Sequence, residues 1–311
     1  MRTLGTIKRI AFSIIAMLLA LTCLFSCTTD LSGGSGDRNN SEEGDAGEGT
    51  GNSDSTKKRV LLVSIDGMRS DALLASEHAE YLTSTAICYP SATTVMPSVT
   101  LPCHMSMHHG VSPEMHGVTT NEYTPSDNLA LGLAETLSAN GKKCAFFYNW
   151  GPLGNVISDS ALVKEEYIAG EELGWHEANG ALVAAAEEYL AINEVDFTFL
   201  YLGCLDEMGH RYGWLSEEYF DALNSSLAAV IAIASSLPDD YTVIITTDHG
   251  GIDYGHGGSL DEEMTIPIFI LDKSETAGAP REGGSILDIA PTVADILGVA
   301  PDTAWTGAPL K

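Results

Sequence analysis

Three aspartates and three histidines stand just beyond apolar runs, where sheet proteins keep their chemistry. Asp66 follows the run 60–65, and Gly67 lets the chain turn there. Asp206 and His210 follow the run 197–202, in the stretch Asp-Glu-Met-Gly-His. Asp248 and His249 follow the run 243–247, and His256 lies seven residues beyond His249 in the glycine-rich loop 250–258. Carboxylate with imidazole is the ligand mix for zinc or manganese. Unpaired, such a cluster of like charges is costly, and bound cations remove that cost. Taken singly, each residue has a plainer explanation. An aspartate after a strand caps a helix or forms a turn, a lone histidine is a satisfied core or surface residue, and Asp-His-Gly occurs by chance. The joint arrangement is what points to metal.

A candidate nucleophile lies in Met96-Pro-Ser-Val-Thr-Leu-Pro-Cys-His104. Thr100 precedes a short helix-like stretch, 102–108, and proline suits a first helical turn. A helix N-terminus stabilises an alkoxide and an incoming phosphate. A free threonine is a weak nucleophile, and coordination to a metal lowers its pKa. Thr100 as a mere N-cap is the plainer reading, and Ser98 is the rival hydroxyl.

Alternating strands and helices must hold these residues. The continuous apolar runs 60–65 and 197–202 read as strands buried on both faces. Residues 144–148 and 243–247 read as further strands, and 266–271 as another in which Pro267 favours an edge or a strand start. Helices are expected over 128–139 (closed by Asn140-Gly141), 177–192, 217–236 and 286–297. This order predicts an α/β three-layer sandwich, a mainly parallel central sheet with helices on both faces. Ligands of such sheets sit outside the carboxyl ends of the strands.

The N-terminal part reads differently. Arg2, Lys8 and Arg9 precede an apolar stretch, 10–25, that is short for a membrane span. Residues 1–26 read as a signal peptide. Leu24-Phe25-Ser26-Cys27 resembles a bacterial lipobox, which makes Cys27 the lipidated N-terminus of a membrane-anchored lipoprotein outside the cytoplasm. Cys23 is a weaker competitor, and conventional cleavage is the alternative. Residues 27–57 are rich in Gly, Ser, Asn, Asp and Glu and read as a flexible acidic linker. Residues 58–311 form the catalytic domain. Of the six cysteines, Cys88, Cys103, Cys144 and Cys204 lie in that domain, match no zinc-ribbon spacing and read as small buried hydrophobes. A net charge of −28 argues against a stable nucleic-acid complex.

Ordered along the chain, these stretches resemble the alkaline phosphatase superfamily, most closely its nucleotide pyrophosphatase/phosphodiesterase branch. The resemblance rests on Ser64-Ile-Asp-Gly67, Pro97-Ser-Val-Thr-Leu-Pro-Cys-His104, Ser112-Pro-Glu-Met-His-Gly117, Asp206 to His210, Asp248-His-Gly250 and His256-Gly257. It implies that Asp206, His210 and His256 hold one divalent metal ion. Asp66, Thr100, Asp248 and His249 hold the other, zinc in both places with manganese as the alternative. It also implies that Asn121 binds a phosphoryl oxygen of a small phosphoester substrate. A plain loop asparagine is the other reading of Asn121. Two departures stand out. Cys103 replaces the family's asparagine, and the final histidine follows His249 closely, where larger nucleotide-cleaving relatives carry a long segment. The resemblance implies double in-line displacement through a phospho-threonine. Asn121 favours diesters over monoesters, whose enzymes add an arginine clamp, although Arg69 and Arg211 lie near the motifs. A sulfatase would need Cys/Ser-x-Pro-x-Arg, which Thr100-Leu-Pro-Cys-His lacks. Phosphoglycerate mutase is disfavoured for an exported chain of this size. A ligand-binding lipoprotein with a decayed site is the reading of another class, and seven competent ligand positions speak against it.

Overall fold

A computed structural model describes residues 57–275 and 277–310. The signal peptide, Cys27 and the linker up to residue 56 lie outside the described residues. Seven strands form one sheet: β1 (Arg59–Ile65), β2 (Ile87–Thr93), β3 (Cys144–Tyr148), β4 (Leu162–Tyr167), β5 (Phe197–Leu202), β6 (Tyr241–Thr246) and β7 (Thr265–Asp272). Their order is β2-β7-β6-β1-β5-β3-β4, and only β7 runs against the others. The helices needed below are α1 (Ser70–Ala75), α2 (Thr100–His109), α3 (Leu133–Ala139), α4 (Trp175–Ile192), α5 (Cys204–Tyr212), α6 (Glu217–Ser236) and α7 (Ile289–Ile296).

Side-chain alternation on the central strands divides the core in two. Val60 and Leu62 of β1, with Phe197, Phe199 and Tyr201 of β5, join apolar residues of α2, α3 and α7 on one face. Leu61, Val63 and Ile65, with Leu200 and Leu202, pack against α1, α4, α5 and α6 on the other. A strand covered on both faces has no place for a polar stripe, which is why β1 and β5 are buried along almost their whole length. The three-layer α/β architecture is the one expected from the sequence.

Several local readings need correction. The helix expected from residue 128 begins at Leu133, after Gly132. Its approach is held instead by His109 Nδ1, 2.8 Å from the Ala130 carbonyl. Strand β7 is interior, between β2 and β6. Pro267, which has no N–H to give, sits opposite the irregularity in β2 between Tyr89 and Ala92. Strands β2 and β4 were not expected. Both are sheet edges, β2 interrupted by Pro90 and β4 alternating between half-buried and exposed residues with the sequence Leu-Val-Lys-Glu-Glu-Tyr. Charges and proline suit an edge that must not pair further. The four cysteines of the domain are buried and free, as read from their neighbours.

Candidate metal centre and nucleophile

The carboxyl ends of β1, β5 and β6, three adjacent strands, deliver Asp66, Asp206 and Asp248. The turn after Asp66 is tightly fixed. Gly67 adopts φ +71°, where a Cβ would also stand 3.0 Å from Asp206 Oδ1. Its carbonyl accepts hydrogen bonds from Trp214 Nε1 (3.0 Å) and the Tyr219 hydroxyl (2.8 Å). Asp206 and His210 sit one turn apart on α5, so their side chains share a face.

Thr100 is the first residue of α2, and its hydroxyl lies 3.2 Å from His249 Nε2. The same nitrogen is 3.2 Å from Asp248 Oδ2 and 3.5 Å from Asp66 Oδ1. On the other side, His210 Nε2 and His256 Nε2 are 3.1 Å apart, 3.4 and 3.6 Å from the two oxygens of Asp206. Ligand atoms of Asp206, His210 and His256 all lie within 4.8 Å of one another, and so do those of Asp66, Asp206 and His249. Asp206 therefore reaches both clusters, a bridging position that the assignment to one ion had not anticipated.

The donor set fits divalent cations. Asp66 Oδ1, Asp206 Oδ1 and Asp248 Oδ2 are buried and have no hydrogen-bond partner. Each of the three histidines turns Nδ1 to a backbone carbonyl: His249 to Gly250 (2.8 Å), His256 to Ser98 (2.8 Å) and His210 to Tyr254 (3.0 Å). Donating from Nδ1 leaves Nε2 as a lone pair aimed inward, the orientation that metal-ligating imidazoles take. Burial, then neighbouring carboxylates, push Asp66 and Asp206 well above the usual range. Burial lifts Asp248 to about 6 and holds His249 and His256 down at about 3. Cations at these points would reverse the carboxylate shifts.

Asn121 is oriented by the helix it faces. Leu101 N–H donates to its Oδ1 at 3.0 Å, which assigns the amide and leaves Nδ2 free to donate into the cleft. The cleft encloses about 180 Å³ and is lined by Asp66, Thr100, Asn121, Asp206, His210 and His256. Trp150, Trp175, Tyr201, Glu171 and Glu207 also line it, and among the described residues no lysine or arginine does. Arg69 instead pairs with Asp71 (2.6 Å) and lines a separate cleft, and Arg211 lines an adjoining one that shares Glu171, Trp175 and Glu207 with the Thr100 cleft. Two indoles, Trp150 and Trp175, reach the cleft of Thr100 and Asp206. Trp214 is buried beneath it against His210 and His256, and Tyr123 lines another. Tyr201 was missed because a tyrosine inside an apolar run reads as core, yet its hydroxyl donates to Asp66 Oδ2.

Ser98, the rival hydroxyl, is engaged elsewhere. It donates to the Gly258 carbonyl at 2.8 Å and accepts from Gly257 N–H at 3.1 Å, tying down the loop that carries His256. Ser98→Ala is expected to keep at least about a tenth of wild-type kcat, because two loop hydrogen bonds are lost but no reacting group is. Steady-state kinetics check this, and an inactive, folded Ser98→Ala would move the nucleophile to Ser98. Cys103, on α2, is buried with the Thr94 hydroxyl 3.3 Å from its sulfur, so the departure from the family asparagine leaves every proposed ligand residue in place.

A mainly parallel sheet covered by helices on both faces, with acids and imidazoles gathered at its carboxyl edge, defines an alkaline-phosphatase-like protein. The model of the type I phosphodiesterase / nucleotide pyrophosphatase family matches residues 60–263, and the chain belongs to that family. It is 26% identical over 209 residues to a 2,3-bisphosphoglycerate-independent phosphoglycerate mutase of Clostridium botulinum, covering 59% of this chain and 39% of the mutase. It is 27% identical over 224 residues to ectonucleotide pyrophosphatase/phosphodiesterase family member 7 of Rattus norvegicus, covering 62% of this chain and 49% of that protein. The chain thus spans less than half the length of either. Murine ectonucleotide pyrophosphatase/phosphodiesterase 5 superposes with a TM-score of 0.65 at 16% identity, over 78% of this chain and 96% of that one.

Proposed function

We propose that the protein hydrolyses small phosphodiesters through a phospho-threonine at Thr100, with two divalent ions, zinc or alternatively manganese. The observation that carries this is the meeting of the Thr100 hydroxyl and His249 Nε2 at 3.2 Å beside orphaned oxygens of Asp66 and Asp248. When bound, two such ions would lower the hydroxyl's pKa and offset charge on the phosphoryl and leaving oxygens. Asp206, His210 and His256 would hold one ion; Asp66, Thr100, Asp248 and His249 would hold the other, with Asp206 close to both. Thr100 Oγ1, its proton given up to solvent, attacks phosphorus; the ester bond opposite breaks and the leaving alcohol departs with a proton from water; a second in-line attack by water then breaks the Thr100–phosphorus bond, restoring the hydroxyl and releasing the phosphate monoester. The α2 N-terminus favours the negative charge that gathers at Thr100. His249, neutral at physiological pH, keeps its Nε2 available beside that hydroxyl.

Diesters are preferred because of what the cleft lacks. A monoester dianion calls for a bidentate cation such as arginine, and neither Arg69 nor Arg211 lines the site. The Asn121 amide offers one neutral hydrogen bond to a non-bridging oxygen. Asn121→Ala is expected to lose about 1–3 kcal/mol of transition-state binding, the scale of an unmade hydrogen bond to a charged group. The test is kcat/KM for p-nitrophenyl phosphate, its phosphodiester analogues and its sulfate, with wild type and Asn121→Ala. Preference for the monoester with little effect of the substitution would leave only a metal-dependent phosphohydrolase. Turnover of the sulfate alone would favour the sulfatase reading, and metal binding without any turnover the ligand-binding one. We also propose export and anchoring through a lipid on Cys27. Among the described residues no helix is long and apolar enough to cross a membrane.

A further inference from the structure

We infer that His104, which is not among the proposed metal ligands, is a positioning residue that sets the geometry of the Thr100 and Asp248 side of the centre; this rests on the hydrolase reading above. The ring is fully buried and lies one turn after Thr100 on α2. It touches all three elements that carry that half of the site. Its Nδ1 lies 2.8 Å from the Thr100 carbonyl oxygen, which can only accept, so Nδ1 carries the proton. The same nitrogen stands 3.5 Å from Asp248 Oδ2, beyond β6. With Nδ1 donating, Nε2 must accept, and Ser64 Oγ donates to it at 3.0 Å. Ser64 is on β1, two residues before Asp66, with its side chain on the α2 face of the sheet by strand alternation. The ring also packs edge-on against Tyr201, centroids 5.2 Å apart, and the Tyr201 hydroxyl donates to Asp66.

Both nitrogens are thus used in one tautomer, and the ring bridges strand, helix and the β6 turn. Partners of this kind behind the ligands tune metal affinity by roughly 10–100-fold. Asparagine at 104 can present an N–H where Nδ1 stands but cannot reach Ser64. Glutamine can reach the position of Nε2 but not that of Nδ1. The experiment measures zinc dissociation constants by chelator competition, and kcat and KM on the phosphodiester, for wild type, His104→Ala, His104→Asn and His104→Gln. Melting temperatures are recorded alongside. His104→Ala should bind the zinc ion proposed for Asp66, Thr100, Asp248 and His249 about 10–100-fold less tightly, and the other ion about as the wild type does. At saturating zinc its kcat should fall by about the same factor while KM changes little. His104→Asn should recover most of both, and His104→Gln little, even where the two melt alike. Unchanged zinc affinity and kcat in His104→Ala, or losses that follow melting temperature and not side-chain type, would overturn the inference. If His104→Ala does not fold, the Asn and Gln pair makes the same comparison. Absence of wild-type turnover would instead defeat the hydrolase reading, and the zinc constants would still decide the role of His104.

Discussion

Thr100→Ala is expected to lower kcat on a phosphodiester by on the order of 10⁴-fold or more while the protein keeps its metal. The size follows from what is removed. Among the described residues the other hydroxyls nearby are engaged: Ser98 with the 257–258 backbone, Ser64 with His104 and Tyr201 with Asp66. Metal content should survive, because the Thr100 side chain would supply one of the four protein ligands proposed for its ion and none to the other. Thr100→Ser should retain substantial activity, since it keeps the oxygen and loses only a methyl group. Stopped assays with metal analysis of the same preparations check both halves. An active Thr100→Ala would exclude the phospho-threonine, and a variant that loses both ions would show Thr100 to be more structural than chemical.

Chelation is expected to have the second largest effect, on activity and stability together, and one substitution shrinks the stability term. Ligand bound at 100 times its dissociation constant stabilises by about 3 kcal/mol, worth roughly 5–10 °C for a domain of this size. Stripped of cations, the site holds three carboxylates that burial and mutual repulsion drive upward: Asp66 and Asp206 well above the usual range, Asp248 to about 6. A carboxylate whose folded pKa exceeds its unfolded one destabilises the fold when ionised, and the penalty is relieved as pH falls through the folded value. His249 and His256, depressed to about 3, oppose this only once the unfolded chain begins to protonate, below about 6.5. Between pH 8 and about 6.5 the stripped protein should therefore become more stable as pH falls. Zinc affinity should weaken over the same descent, since protons compete for the ligands. Asp66→Asn keeps an acceptor for the Tyr201 hydroxyl but removes one charge. It should stabilise the stripped protein at pH 8 and lower the stability gained from zinc. Thermal melts with and without chelator, across this pH window, check it. A stripped wild type as stable as the loaded one, or an Asp66→Asn that destabilises both forms equally, would contradict the charge argument.

Much of the site was legible because its residues end continuous apolar runs. Asp66 and Asp248 follow strands buried on both faces, where polar residues mark the point at which the chain leaves the core. Asp206 and His210 were placed after a strand, but their helical spacing of four, which gives them one face, needed α5 to be seen. What remained hidden had no periodic signature. Tyr201 looks like any other member of a hydrophobic strand until its hydroxyl is found on Asp66. Trp175 reaches the cleft from the start of α4, a long way in sequence from every motif. His104 sat inside a motif yet had no chemistry to suggest until Ser64, Thr100 and Asp248 closed around it. Edge strands β2 and β4 carry Pro90 and a Lys-Glu-Glu run, features that serve a sheet margin and read in isolation as loop.

Anomalous diffraction at the zinc edge, from crystals of the protein grown with zinc, tests the central claim most directly. Two peaks are expected, about 4 Å apart. One should lie about 2.0–2.2 Å from His210 Nε2, His256 Nε2 and an Asp206 oxygen, the other at that distance from His249 Nε2 and oxygens of Asp66, Asp248 and Thr100. A single peak, or a His256 ring turned away from Asp206 and His210, would contradict the two-ion centre.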